Sequence, residues 1–259
     1  MTMQNQSFVL ALIVSLSWLQ SQPCSAVLVG HWTGDGTAND ATGNGHDGTL
    51  FGDVSFTPGV VGDAFLLDGN NDYIAIANDP SLESTIFSVA AFVRMPDTNN
   101  SQRLVFDSSH GFLNNRGWAL QTETSGAISI LFGNGSLFQA ATSTTLIDDN
   151  DFHHIAGVVD ASTLKIYVDG SLEDTFTYTG GLVASGREVR IGAAWGGVSG
   201  GSIREVNGII DDVRYYDHAL SSSQVQSLAN VPEPSSALAV GLTLVLATFR
   251  RRKQLKLAA

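Results

Sequence analysis

The sequence predicts an all-β, two-sheet antiparallel sandwich. Short runs of β-branched and aromatic residues recur between Val27 and Asn230, about every 8 to 12 residues, with Gly, Asn and Asp clusters between them. No helix-periodic segment interrupts them before Leu220. The stretch FHHIAGVVDASTLKIYVDGSLEDTFTYT (152–179) reads by itself as a three-stranded meander, with strands over 152–159, 163–168 and 171–178. Asp160-Ala161-Ser162-Thr163 supplies one turn. Asp169-Gly170 supplies the other, because both central residues of a type I′ turn need φ > 0.

The other elements follow in order. Val27–Trp32 is a short strand. Residues 33–48, TGDGTANDATGNGHDG, bury almost nothing and are too long for a plain hairpin, so this loop packs or binds something. Strands follow at 49–51 and 54–56, then a turn at Thr57-Pro58-Gly59. Ala64–Gly69 and Tyr73–Ile76 flank a polar turn at Asn70-Asn71-Asp72. Phe87, Val89, Ala91, Val93 and Met95 share one face of the next strand. Its other face, Ser88, Ala90, Phe92 and Arg94, is mixed, which suits a strand covered on both sides. Further strands are expected near 103–107, 117–122, 127–132, 136–141, 189–193 and 203–216. Leu220–Ala229 is the one helix: Ser221 and Gln224 make a capping box, and Leu220 and Val225 occupy the staple positions. With no internal repeat, 27–230 reads as one domain.

Charge is unevenly distributed. The body, 27–230, has 8 basic against 24 acidic residues, a balance of −16. Such a body repels phosphate backbones and excludes nucleic acid as a partner. It also offers many oxygens to a hard cation such as calcium. Cys24 is the single cysteine, so no intramolecular disulfide forms. The 27 glycines suit many tight turns.

The two ends differ from the body. Phe8–Leu19 is mostly apolar and leads to small residues at Cys24-Ser25-Ala26, so 1–26 reads as a signal peptide cut after Ala26. At the other end, Val231-Pro232-Glu233-Pro234-Ser235 precedes an apolar run and Arg250-Arg251-Arg252-Lys253. As a helix, 235–249 is about 22 Å long, short for a bilayer core of about 30 Å. The basic cluster belongs on the cytoplasmic side. The order of Pro232, Glu233 and Pro234, then apolar helix, then arginines resembles the PEP-CTERM sorting signal of Gram-negative bacteria. That resemblance implies an exosortase-type processing enzyme, an inner-membrane stage through 235–249, and delivery of the protein to the cell surface or extracellular matrix. An ordinary tail anchor is the alternative.

Within the body, DATGNGHDGTL (40–50), FLLDGNNDYIAI (65–76), FSVAAFVR (87–94), FHHIAGVVDASTLKIYVDG (152–170) and NGIIDDVRYYDHALSSSQV (207–225) resemble the LamG-like jellyroll family of the concanavalin A-like lectin/glucanase fold. Phe152 stands where a Trp is commoner, and 100–150 matches only loosely. The resemblance implies two antiparallel sheets in a jellyroll and, in most members, no enzymatic activity.

Several residues are candidates for chemistry. If 203–216 is one strand, Ile209, Asp211, Val213 and Tyr215 share an inward face, and an inward carboxylate must be paired or coordinated. Its partners are backbone N–H groups, a basic side chain, or a structural calcium ion. Asp40 and Asn44 would complete such a site from the loop whose Gly43 and Gly45 let carbonyls turn inward. Related laminin-G and pentraxin-like folds often bind calcium, which the resemblance adds. Asp68-x-Asn70-x-Asp72 begins like an EF-hand loop, but Tyr73 stands where Gly is needed. His153 and His154 face opposite ways and read as hydrogen-bonded structural histidines. Trp195, inside a Gly-rich stretch, is either a platform for a sugar ring or a plug closing the sandwich; Trp118 reads as core. His110, Phe112 and Asn114 are candidates for a binding rim.

Glycoside hydrolysis needs two facing carboxyl groups. No Glu-x-Asp-x-Glu spacing occurs; Glu188 and Glu205 stand alone, and Glu173-Asp174 flank a turn. Gly197-Val198-Ser199-Gly200-Gly201 matches Gly-x-Ser-x-Gly without the strand before and helix after that a nucleophile elbow requires. The sequence therefore indicates a non-catalytic, exported adhesion module for carbohydrate or matrix polysaccharide, with structural calcium as a candidate cofactor. The alternatives are a structural matrix protein without a ligand site and a glycoside hydrolase-like enzyme.

Overall fold

The computed structural model describes residues 27–96, 103–108, 115–195 and 202–230. The signal peptide, His110, Phe112, Asn114, Gly197–Gly201 and the segment with Pro232, Glu233 and Pro234 lie outside the described residues. Among the described residues no helix is long and apolar enough to cross a membrane.

The described chain is an antiparallel two-sheet sandwich. In order its strands are β1 (Leu28–Trp32), β2 (Gly48–Phe51), β3 (Ser55–Pro58), β4 (Asp63–Asp68), β5 (Tyr73–Ile76), β6 (Phe87–Arg94), β7 (Leu104–Asp107), β8 (Trp118–Thr122) and β9 (Ala127–Gly133). Then come β10 (Phe138–Leu146), β11 (Phe152–Val159), β12 (Thr163–Val168), β13 (Ser171–Thr177), β14 (Val189–Ile191), β15 (Ala194–Trp195), β16 (Ser202–Ile203), β17 (Asn207–Tyr216) and helix α1 (Ser222–Ala229). One sheet runs β13-β12-β11-β6-β17-β4-β3, with β1 also on β17. The second runs β10-β9-β8-β7-β14-β5-β2, and β15 pairs with β16 apart from both.

The meander forms as expected. Asp169 and Gly170 take φ of 49° and 77°, the turn the sequence called for. Asp160 accepts hydrogen bonds from the Ser162 and Thr163 amides, 2.9 and 2.8 Å, which closes the first turn. Ser221 and Gln224 form the reciprocal capping box, and Leu220 and Val225 pack with Ala90, Ala156, Val158, Tyr167 and Tyr216. The helix thus covers part of the outer face of the first sheet, and this is why β6 is buried on both sides.

Between the sheets lies a core built on two indoles. Trp32 and Trp118 are fully buried, and their N–H groups donate to the His46 and Leu82 carbonyls at 2.8 and 3.0 Å. Phe106 meets both indoles edge-on, while Phe87 stacks on Tyr215 at 5.5 Å. Aromatic burial of this kind is the main driving force available to a chain without disulfides.

Three expectations need correction, while the polar turn at Asn70–Asp72 is present and carries the chain from β4 in one sheet to β5 in the other. Asp72 makes the crossing possible by accepting the Asp53 and Asp68 amides, 2.6 and 2.9 Å. Strand β3 runs through Pro58, and the turn falls at 59–62. Glu173 and Asp174 lie within β13, not beside a turn. Finally, β17 starts at Asn207, and a β-bulge with Asp212 at φ 53° breaks its register between Asp211 and Arg214. Ile210, Val213 and Tyr215 enter the inter-sheet core. Ile209 and Asp211 therefore lie on the opposite face, paired with Arg94 and Phe92.

Candidate functional site

The outer face of the second sheet gathers the polar and aromatic groups that have no place in the core. Trp118, Leu120, Ile130, Phe132, Val189, Ile191 and Ile74 point between the sheets. Strand alternation then turns Ala119, Gln121, Ser129, Leu131, Arg190 and Tyr73 outward. The β15–β16 hairpin folds onto this face, with Ala194 packed among Ala119, Leu131, Phe138 and Ala140. Trp195 follows directly, is half-buried, and carries the Arg187 guanidinium 3.7 Å from its ring centroid. The sequence offered it as platform or plug. The structure places it on a two-residue strand with a cation against its ring, so it is supported as well as partly exposed.

At the other margin is a ladder that sequence reasoning missed. Phe51 stacks on Tyr73 at 4.7 Å with 2° between planes, and the Arg190 guanidinium lies 4.3 Å from the Tyr73 centroid. Phe51 is 42% exposed on edge strand β2. The signal that could have found it is alternation: Thr49 and Phe51 share a face with Ala75 and Tyr73 once β2 pairs with β5.

Between the margins the face is ionic and amide-rich. Arg190 is buried; its Nε and Nη2 donate to Glu188 Oε1 at 2.7 and 2.5 Å, and Nη1 donates to the Ala194 carbonyl. This arginine ties β14 to the hairpin. Burial lowers the pKa of Arg204, and the charges of Asp107 and Glu123 work against that shift. Glu123 Oε1 accepts from Gln121 Nε2 at 3.1 Å and from the Ser129 hydroxyl at 2.7 Å. Gln121 Oε1 is a buried acceptor without a hydrogen-bond partner. Glu188, bonded to Arg190, and Asp107 and Glu123, whose charges act on Arg204, are the acids of this region.

The family model described as the concanavalin A-like lectin/glucanases superfamily matches residues 68–226. This chain belongs to that superfamily. A search of the curated proteins finds no match. Among solved structures, domain 4 of AbnA, a GH43 extracellular arabinanase from Geobacillus stearothermophilus in complex with arabinotriose, has a TM-score of 0.67 at 23% identity. That likeness covers 79% of this chain and 99% of the arabinanase domain. The binding domain of Paraclostridial Mosquitocidal Protein 1 has a TM-score of 0.64 at 17% identity, covering 78% of this chain and 52% of the toxin chain. A botulinum neurotoxin type C structure, whose cell entry is described as dependent on two ganglioside molecules, gives 0.62 at 16%, covering 79% and 50%. This chain thus spans about half the length of those toxin chains, and at these identities the likeness is one of fold.

The remaining candidates of this superfamily domain lie elsewhere. Asp40 accepts from the His31, Thr42 and His46 amides and from the Thr42 hydroxyl, at 2.7 to 3.3 Å. Burial pushes its carboxyl up, but these donors outweigh it and hold the pKa below the usual value. Asn44 turns its amide nitrogen to the Leu28 and Val29 carbonyls. Asp211 Oδ2 accepts from the Val60 and Val61 amides at 2.7 and 2.9 Å. The three residues share no hydrogen-bond donor, and Asp40 is surrounded by hydrogens where a cation needs oxygens. As one calcium site they do not fit. Among the described residues no group of three His, Cys, Asp or Glu is placed to hold a metal ion. Asp211 differs from Asp40 in one respect: its Oδ1 is buried without a partner, and burial raises its pKa to about 6.

A Ser-His-Asp arrangement does occur, at Ser81, His46 and Asp40. His46 Nε2 is 3.0 Å from Ser81 Oγ, and Nδ1 is 3.5 Å from Asp40 Oδ2. The Ser81 hydroxyl, however, donates to Asp79 at 2.7 Å as part of a helix cap, and His46 Nδ1 is nearer the Val29 carbonyl, 3.1 Å. The trio fastens the 33–48 loop to the Pro80–Leu82 turn; it does not activate a nucleophile. His153 bridges Asp169, 2.8 Å, and Asp149, 3.3 Å. Burial alone would lower its pKa, but these carboxylates raise it. His154 meets Phe92 edge-on, and burial with nearby Arg214 lowers its pKa to about 4.

Proposed function

We propose that this domain is a non-catalytic binding module that grips carbohydrate on the outer face of the second sheet. The observation that carries the reading is the framing of that face. Phe51 on Tyr73 stands at the β2 edge, and half-buried Trp195 lies against Arg187 on the β15–β16 pair that packs over the sheet, with Gln121 and Arg190 buried beneath. Sugar rings present apolar C–H faces and hydroxyl rims, and a binding site needs both kinds of group. The arabinotriose held by the arabinanase domain and the gangliosides of the neurotoxin are consistent with this use of the fold.

Export belongs to the same proposal. The 1–26 segment directs secretion, and the tail with Pro232, Glu233 and Pro234 is handed to an exosortase-type enzyme after an inner-membrane stage through 235–249. Mass spectrometry of the surface protein tests this: loss of Arg250-Arg251-Arg252 is expected, and their retention contradicts processing.

For binding, the test is a glycan array with wild type, Trp195→Ala and Phe51→Ala. Removal of an aromatic anchor should weaken the captured glycan about tenfold or more. A flat array for wild type, with no change in either variant, favours a structural matrix protein. Sugar release from a polysaccharide favours a hydrolase.

A further inference from the structure

We infer that the site takes one sugar ring, stacked on the outward face of Phe51 at the β2 edge, and holds no glycan chain along the sheet. The inference rests on the binding reading above and adds to it the size and place of the sugar unit that is held.

The middle of the sheet is closed. Ala119, Gln121, Ser129, Leu131 and Arg190 turn outward there, and none is more than 5% exposed. Ala194 of β15 packs onto Ala119 and Leu131. A chain of sugars laid across the strands would need that surface as the floor of its groove. What remains open is the margin formed by β2, the last strand of its sheet.

The Phe51 ring is held there as a platform. Strand β5 lies between β14 and β2, so Arg190 and Phe51 reach Tyr73 from opposite sides. The guanidinium is 4.3 Å from the Tyr73 centroid, and the Phe51 centroid is 4.7 Å from it with 2° between planes. Glu188 fixes Arg190 in turn through Nε and Nη2. The stack advances by about one strand spacing per layer, about 4.7–4.9 Å, and stops at Phe51. Tyr73 covers one face of that ring; the other looks past the edge to solvent, and the residue is 42% exposed. A sugar laid on it continues the stack where a side chain of a further strand would lie, with its C–H face against the aromatic ring. One platform serves one sugar unit.

Hydrogen-bonding groups stand beside the platform. Gly52 follows Phe51 with φ 75°, and a Cβ there would collide with the Asn71 carbonyl and the Asp72 carboxylate. The β4–β5 crossover is therefore packed against the end of β2. Asn70 and Asn71 are exposed on it, and Asn71 Nδ2 donates to Asn70 Oδ1 at 3.2 Å. That bond uses one of the two Asn71 amide hydrogens and leaves the second for a sugar hydroxyl. Thr49, exposed on the same face of β2 as Phe51, brings a hydroxyl of its own. Thr49 and Phe51 precede the 68–226 segment that the family model matches, so the platform is no part of that match.

The test uses the chain as exported and ladders of arabinose, xylose, glucose and galactose oligomers, from disaccharide to hexasaccharide. In the tightest series affinity should rise no more than about threefold from disaccharide to hexasaccharide, which is the gain in rings on offer, and the methyl glycoside of the same sugar should bind within about tenfold of the hexasaccharide. A rise of more than about tenfold along the ladder marks an extended groove; it overturns the inference and leaves the binding reading intact. Phe51→Ala should lose at least about tenfold at unchanged Tm, and Phe51→Trp, which keeps a platform, should retain binding. Wild-type affinity in Phe51→Ala places the sugar elsewhere on the domain and also overturns the inference. No binding in any ladder or on the glycan array removes both readings.

Discussion

Asp211 shows how one carboxylate reports on its surroundings. It is fully buried, yet only Oδ2 is served, by two amides of the 59–62 turn. Burial raises its pKa from 3.8 to about 6. Because the folded value lies above the unfolded one, folding penalises the ionised form. The penalty is complete above about pH 6 and disappears below pH 3.8. Asp211→Asn should therefore stabilise the metal-free protein by about 1–2 kcal/mol at pH 7.5 and give no gain near pH 4. Thermal melts in EDTA check this. The same melts in millimolar CaCl2 test for a cation on the free oxygen: wild type would then rise in Tm and the variant would not. That Asp211 needed an explanation was legible from its apolar neighbours. Its true face was not, since nothing in Ile209-Ile210-Asp211-Asp212-Val213 announces that Asp212 will take a positive φ and turn the register.

Among the elements, the edges repay attention. Strands β10 and β13 end their respective sheets on the same side of the sandwich. Glu173 and Asp174 of β13 reach across and accept the outward amides of β10: Thr144 and Thr145 bond Glu173 Oε2 at 2.8 and 2.9 Å, and Thr142 bonds Asp174 at 3.0 Å. An open edge strand is a template for association, and these carboxylates cover it. Glu173→Ala should cost about 1–2 kcal/mol and hasten aggregation on heating. Partial burial pushes the Glu173 carboxyl up, but the Thr145 and Thr144 donors prevail and lower its pKa. Its contribution is thus present above pH 4.5 and fades as pH falls through the folded value, so wild type and variant should converge in urea midpoint in acid. The meander containing β13 was readable because its turns are local. The stitching was not, because it joins residues about 30 apart that are brought together only by sheet packing. The same reason hid Phe51 on Tyr73, whereas Trp195 stood out simply as a Trp among glycines.

At the scale of the molecule, β17 organises the sandwich more than the 152–179 meander does. One edge of β17 takes β6; the other takes β4 over Asn207–Ile210 and then β1 over Val213–Tyr216. The last strand is therefore completed by the first, and the two Trp32-side contacts of the core depend on that closure. Trp32 sits on β1, meets Phe106 of the opposite sheet edge-on, and holds the 33–48 loop through the His46 carbonyl. The β1 amide of His31 and the Asn44 side chain add further ties between β1 and the loop. A fragment of residues 33–230 would leave the upper half of β17 without its neighbour and open a cavity the size of an indole, a loss of about 3–5 kcal/mol from Trp32 alone. That is a large part of the stability of an ordinary domain. Residues 27–230 should melt in one cooperative step with intact near-ultraviolet dichroism, and residues 33–230 should not. A cooperative transition in the shorter fragment would mean that the β1–β17 closure is dispensable and that the sandwich is organised from its other end.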